Sequence, residues 1–384
     1  MRLMKKKSKF IITTVILLVA ALNIPQTVLA DDWYEDEKGY FTLYDEDNNE
    51  LMIRAGEMFL EDEYISEDNK RYSVIKVDKE KKAAYAKFLG DVELPKIEEI
   101  EASAVIETSL LQNQQRAILL YCTHSDESYI PSDGKASIPG KGGIYDVAQS
   151  FQAALEKKGI RAVLDKTPHD PHDAAAYRRS RQTAINLIRN NMPVAAVFDI
   201  HRDAVPKSVY DTKVNGEYMA KVRLVVGKRN QNRKANEELA IKIKAVADKM
   251  YPGLIKDIYI GKGMYNQELS PRSLLFECGT FESSKEAVQK SMAYMADVVL
   301  KSIYGGTATA RTQEGEEKGQ IRIAPINQET NEGAQGGGRG IFWIIGILVV
   351  GAILFLLISS GGKELFSKFS REEFSSFLGR KKRR

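Results

Sequence analysis

Cysteine is scarce in this chain: Cys122 and Cys278 are the only two in 384 residues. That excludes a disulfide framework of the kind that staples small secreted domains. A single bridge between them is open in an oxidising compartment, but burial as small hydrophobes is the commoner fate. Histidine is almost as rare, with four residues and none before His124. No large charge excess exists either, since the net charge is +4, and that alone selects no partner. No internal repeat at a fixed period is present, which excludes a solenoid or propeller.

The length suits two domains rather than one. The hydrophobic share is 43%, enough for a sizeable core. Charge is unevenly spread: by count about −13 over residues 31–112 and about +8 over residues 116–304. A mildly basic domain suits an acidic polymer such as cell wall or nucleic acid, or is simply a solvated surface.

The two ends predict a compartment. Arg2, Lys5, Lys6, Lys7 and Lys9 precede an apolar run from Phe10 to Leu22, and Val28-Leu29-Ala30 follows. This is the layout of a secretory signal peptide over residues 1–30. Ile341–Ser360 carries no charge, and a run of about 20 residues is enough for a transmembrane helix. The basic tail over residues 361–384 then faces the cytoplasm. The expectation is a membrane-anchored protein with a single C-terminal span in the cell membrane and an extracytoplasmic catalytic domain.

Between these ends, residues 31–90 read as a small β-rich module. Tyr40–Tyr44 and Leu51–Ile53 flank a polar turn, and Arg71–Val77 alternates over part of its length. Residues 91–115 read as an acidic linker. From 116 to 304 strand and helix alternate. Strands are expected over 116–123, 160–164, 193–200, 221–227 and 273–278, with helices over 144–158, 174–191, 229–251 and 283–304. That order predicts an α/β domain built on a mostly parallel sheet with helices on both faces. Residues 305–340, rich in Gly, Glu, Gln and Thr, read as a flexible stalk.

In parallel α/β sheets ligands gather beyond the carboxyl ends of the strands. His124, His201 and Glu277 all fall there, on three strands far apart in sequence. His124 and Glu127 stand three residues apart just after one strand, a spacing that aims both at one cation. His201 then completes three protein ligands and leaves a fourth position open, the arrangement of catalytic zinc with two histidines and a glutamate. Zn2+ is the expected cofactor, with Glu277 as the base that moves the proton. Asp199 lies on the same strand face as His201, and Asp199 or Asp203 can fix that imidazole's tautomer. Arg202 is a candidate anchor for an oxyanion. His169 follows another strand and is either a third ligand in place of Glu127 or a transition-state donor. His172 reads as more exposed. Arg181 is a candidate substrate contact, and Arg178 reads as structural. Two other readings stay open: a Cys278–His201 pair of the protease type, and a wall-binding or scaffold protein without activity.

The motifs YCTHSDESY, DKTPHD followed by AYRRSRQT, FDIHRDAVP and LLFECGTFE occur in this order over residues 116–304. Together they resemble the stage II sporulation protein P family. The resemblance implies an N-acetylmuramoyl-L-alanine amidase with a zinc site and an amidase-like α/β fold. It cuts the bond between muramic acid and L-alanine in peptidoglycan during sporulation. The implied partners are peptidoglycan and a separate glycan-cleaving enzyme, with no nucleic acid. His124, Glu127, His169, His201, Arg202, Asp203 and Glu277 fall on the family's motifs. The chain departs from the family at Cys122, where a His-Thr-His sequence is usual. Cys122 shares a strand face with His124 and is expected to touch or tune the site. Members are typically held by an N-terminal anchor, so the C-terminal span is a second departure.

Overall fold

Apolar runs become strands and amphipathic runs become helices that cover them. The amino-terminal strands are β1 (Phe41–Tyr44), β2 (Glu50–Arg54), β3 (Glu63–Ile65), β4 (Lys70–Asp78) and β5 (Ala83–Asp91). Within the acidic stretch that follows, Ile97–Leu110 is helical (α1). Then come β6 (Ala117–Tyr121), a single turn α2 (Ile130–Asp133), α3 (Ile144–Lys157), β7 (Ala162–Leu164) and α4 (Ala176–Asn190). The rest is β8 (Val194–Asp203), β9 (Asp211–Val214), β10 (Glu217–Ala220), β11 (Val222–Gly227), α5 (Arg233–Met250), β12 (Ile255–Gly261), β13 (Ser273–Thr280) and α6 (Lys285–Tyr304). This computed structural model describes residues 39–110, 116–173 and 175–306. All described residues belong to one compact unit.

Eleven strands form one sheet in the order β2-β1-β5-β4-β3-β12-β11-β13-β8-β6-β7. The expected mostly parallel sheet with a separate small β-rich module is therefore corrected. Five neighbouring pairs are parallel and five antiparallel. The reason lies in the connections. A parallel neighbour needs a long crossover, usually a helix, whereas a short connection reverses the chain. Between β8 and β11 there is only a turn and the β9–β10 hairpin, so β11 runs antiparallel to β13, which is parallel to β8. Helix α5 bridges β11 and β12, and that pair is parallel. The amino-terminal strands join the same sheet because β3 pairs with β12, with Ile65 opposite Ile258.

No helix among the described residues is long and apolar enough to cross a membrane. The run over 341–360, read as a transmembrane helix, lies outside the described residues, as does the signal-like segment over 1–30.

Alternation assigns each strand residue to a face. Leu120, Cys122, Phe198, Ile200, Phe276 and Cys278 point to one face, in a core shared with α3, α5 and α6. Helix α3 buries Ile144, Val147, Ala148, Phe151 and Leu155 at helical spacing. Its Phe151 meets Phe198 and Phe276, whose rings stack at 4.5 Å. The opposite face is split. Leu119, Tyr121 and Val197 pack with Ala184 and Leu187 of α4. Val225, Tyr259 and Leu275 pack with Phe41, Leu43 and Met52 of the amino-terminal strands.

That second face carries a row of charge across four adjacent strands. Asp257 is the register partner of Arg223, Arg223 of Glu277, and Glu277 of His201. Arg223 is 1% exposed and Asp257 fully buried. The guanidinium grips Asp257 through Nε and Nη2 at 2.6 and 3.0 Å. Its Nη1 donates to Asp203 at 3.1 Å, and Nη2 donates to the Ile53 carbonyl at 3.1 Å. Burial works against the Asp257 carboxylate, but Arg223 and Lys256 outweigh it and hold the group down to about 2.

A carboxylate with a depressed pKa contributes stability above its unfolded value and loses it as pH falls. The ordinary value is 3.8 and the folded value about 2, so Asp257 contributes about 2 kcal/mol that disappears between pH 4 and pH 2. Asp257→Asn leaves Arg223 buried beside a neutral group and costs roughly 3–5 kcal/mol at pH 7. In urea titrations the gap between the two proteins should narrow steadily as pH drops from 4 to 2.

Candidate metal centre

Three elements deliver the histidines and carboxylates to one place. Strand β6 ends at Tyr121, and the chain turns sharply through His124 to Glu127, where Glu127 N bonds the His124 carbonyl at 3.3 Å. Strand β8 carries Asp199 and His201 on one face. A loop between β7 and α4 carries His169 and His172. His124, Glu127 and His201 are all buried to 1% exposure or less.

Glu127 Oε1 is the meeting point. It lies 3.1 Å from His124 Nδ1 and 3.2 Å from His201 Nδ1. Its Oε2 accepts the backbone N–H of Arg202 at 2.9 Å, which fixes the carboxylate's plane. The imidazoles of His124 and His201 stand edge to face at 4.8 Å. Ligands bound ~2.0–2.1 Å from a tetrahedral zinc stand roughly 3.3 Å from one another, and each of the two nitrogens stands at about that spacing from the shared carboxylate oxygen. A buried carboxylate with two imidazoles is also the donor set that zinc takes.

Electrostatics supports a cation here. Burial and the neighbouring His172 lower His124 to about 4, so its ring is neutral at pH 7, the form that donates a lone pair. Burial opposes charge on His201 as well, yet Asp199 and Glu127 on either side raise it well above the usual imidazole value. Burial would raise Glu127, but His201 and the hydrogen bond from His124 hold it well below the carboxylate range. The pocket keeps a positive charge between its two carboxylates.

The other anticipated residues fall as follows. Asp199 Oδ1 lies 3.0 Å from His201 Nε2 and accepts from Thr123 N at 2.8 Å. Asp203 is turned away from His201: its carboxylate takes Ala55 N at 3.2 Å, the Tyr210 hydroxyl at 2.9 Å and Arg223. Glu277 sits beside His201 on the next strand, 4% exposed. The Arg202 guanidinium donates to the Ala136 carbonyl at 3.1 Å and lies over Phe281, so it braces the loop after Glu127. His169 engages both ring nitrogens, Nδ1 with the Cys122 carbonyl at 2.9 Å and Nε2 with Thr183 Oγ1 at 2.8 Å. It lies outside the cluster and anchors its loop to the end of β6. Arg181 forms an ion pair with Glu268, and Arg178 is exposed. Cys122 and Cys278 point into the helix-covered core, where burial pushes both thiols well above their usual value. A thiolate paired with His201 has no support in that geometry.

One residue of the cluster is not legible from motif spacing. His172 stacks on His124 with ring centroids 3.8 Å apart. Ligand atoms of His124, Glu127 and His172 all lie within 4.8 Å of one another. Its surroundings, Asp-Pro-His-Asp, read as an exposed turn. The only clue in the sequence is Asp126, whose carboxylate turns out to receive it. Arg179 was equally silent: it donates to the His169 carbonyl at 2.6 Å, to the Pro171 carbonyl and to Asp173, and so ties the loop together.

Comparison with known proteins adds three findings. The family profile described as Stage II sporulation protein P (SpoIIP) matches residues 36–300. A protein of that name from Bacillus subtilis (strain 168) is 29% identical over 223 residues, which is 54% of this chain and 55% of that protein. The chain thus spans about half the length of that relative. A solved structure titled N-acetylmuramoyl-L-alanine amidase, from Clostridium difficile 630, aligns with 52% of this chain and 98% of its own at 15% identity. Its TM-score of 0.31 is too low to establish a shared fold.

The loop that carries Asp126 and Glu127 depends on one glycine. A Cβ on Gly142 would stand 2.3 Å from the Glu127 carbonyl oxygen and 2.7 Å from that of Ser125, and both are backbone atoms that cannot rotate away. Gly142→Ala should cost about 1–3 kcal/mol and lower the melting temperature by several degrees in a thermal scan.

Proposed function

Because the chain belongs to the stage II sporulation protein P family, we propose that it is a zinc-dependent peptidoglycan amidase acting in sporulation. The bond cut is the amide between the lactyl group of N-acetylmuramic acid and L-alanine. Such a substrate lies outside the cell membrane, which agrees with the signal-like amino terminus. The observation that carries the reading is the single carboxylate oxygen of Glu127 met by two imidazole nitrogens at 3.1 and 3.2 Å.

His124, Glu127 and His201 hold the cation. A zinc ion bound there supplies Lewis acidity that polarises the scissile carbonyl and acidifies water. The chain does the remainder. Asp199, 3.0 Å from His201 Nε2, favours a proton on that nitrogen and would leave Nδ1, beside Glu127, as the ligand atom. The Arg202 N–H keeps one Glu127 oxygen occupied and the other turned toward the imidazoles. Glu277, buried beside His201, takes a proton from the attacking water and returns it to the leaving amine. His169 and the Arg202 side chain position the two loops that frame the cleft.

His124→Ala should abolish metal binding and release of stem peptides from purified sacculi. Glu277→Gln should retain about one zinc per chain while activity falls by roughly 10²–10⁴, the usual weight of general acid–base catalysis. Metal content by atomic absorption, run beside peptide release, separates the two variants. Near-normal release by either one refutes the assignment.

A further inference from the structure

The loop between β7 and α4 brings a third imidazole to the centre. His172 Nδ1 lies 3.0 Å from Asp126 Oδ1. A carboxylate at Nδ1 holds the proton there and places the ring's lone pair on Nε2, the way metal-bound histidines are usually oriented. Asp126 is itself fixed, since its other oxygen accepts from Ser137 Oγ. The backbone on either side is held too. Ser125 Oγ donates to Asp170 Oδ2 at 3.1 Å and accepts His169 N at 2.8 Å. Arg179 takes the carbonyls of His169 and Pro171. These contacts present His172 in contact with His124, with its ligand atom within 4.8 Å of those of His124 and Glu127.

Exposure separates this histidine from the others. The side chains of His124, Glu127 and His201 are at 0%, whereas that of His172 is at 19%. The three buried groups come from strand ends and a tight turn, and the fourth comes from a surface loop. Three protein ligands leave one position of a tetrahedral shell open, and His172 stacks directly on one of the three, His124. Building on the metal site proposed above, we infer that His172 is a fourth and labile ligand to the same cation. It closes the open position in the resting protein, and any substrate must displace it. The loop that carries it, held by Asp126 and Arg179, then sets how readily the centre opens.

Cobalt(II) substitution of the purified chain tests this without relying on activity. The parent should show the visible spectrum of a closed four-ligand centre and respond weakly to azide. His172→Ala should still bind cobalt, with a changed band position and intensity, and should bind azide about tenfold more tightly or better. Asp126→Asn keeps the ring but frees it, and should shift the azide titration in the same direction by a smaller factor. Far-UV circular dichroism confirms that both variants are folded. A His172→Ala protein with the parent's spectrum and the parent's azide affinity overturns the inference while leaving the three-ligand site intact. If the parent takes up no cobalt, or His124→Ala takes it up equally well, the metal centre itself fails and this inference falls with it.

Discussion

A guanidinium sealed inside the sheet dictates much of this architecture. Arg223 is 1% exposed, and an unpaired charge at such depth is not tolerated. Every partner it needs must be supplied by structure. Asp257 comes from the next strand, Asp203 from the end of β8 and the Ile53 carbonyl from the amino-terminal hairpin. Burial alone would lower its pKa, but Asp257 and its other neighbours raise it well above the usual value. The group therefore stays charged, and three distant segments stay locked around it.

This lock explains why the amino-terminal strands are not a separate module. Their negative charge and lack of histidine set them apart in composition, yet Ala55 N and the Ile53 carbonyl complete the hydrogen bonding of Asp203 and Arg223. Phe41, Leu43 and Met52 cover the same sheet face. Withdrawing them would expose an apolar face and strand two buried charges at once. The consequence reaches the metal centre, because Asp203 lies two residues beyond His201 on the same strand. Glu277 occupies the rung between Arg223 and His201, flanked by cationic groups on both sides.

The sequence made the central strands and helices legible because their signals are local. Runs such as ILLYC and VAAVFDI bury both faces, and the stripe of α3 has the helical period. Strand direction was not legible, since it depends on whether a connection crosses the sheet or reverses. The apolar run in β12 is broken by Lys256 and Asp257, and their burial makes sense only beside Arg223. The same split holds in the site. His124 and Glu127 follow one strand end and His201 lies near the end of another, β8, so they announce themselves by spacing. Cys122 shares nominal parity with His124, but the chain leaves the strand at that point, so Cys122 enters the core while His124 turns to Glu127. His172 sits in a loop with no period at all, and its place follows from a carboxylate 46 residues away.

The two charged clusters on this face follow one electrostatic rule with opposite purposes. In the Arg223 cluster the positive charge is covalently part of the chain, so the carboxylates around it are satisfied permanently and the result is rigidity. In the metal centre the carboxylates of Glu127 and Asp199 flank the His201 imidazole and favour its protonated form. His124, a few ångströms away, is held neutral. On the proposed reading a metal ion takes the place of the His201 proton, so the charge here is exchangeable, and it lies two rungs from one that cannot leave.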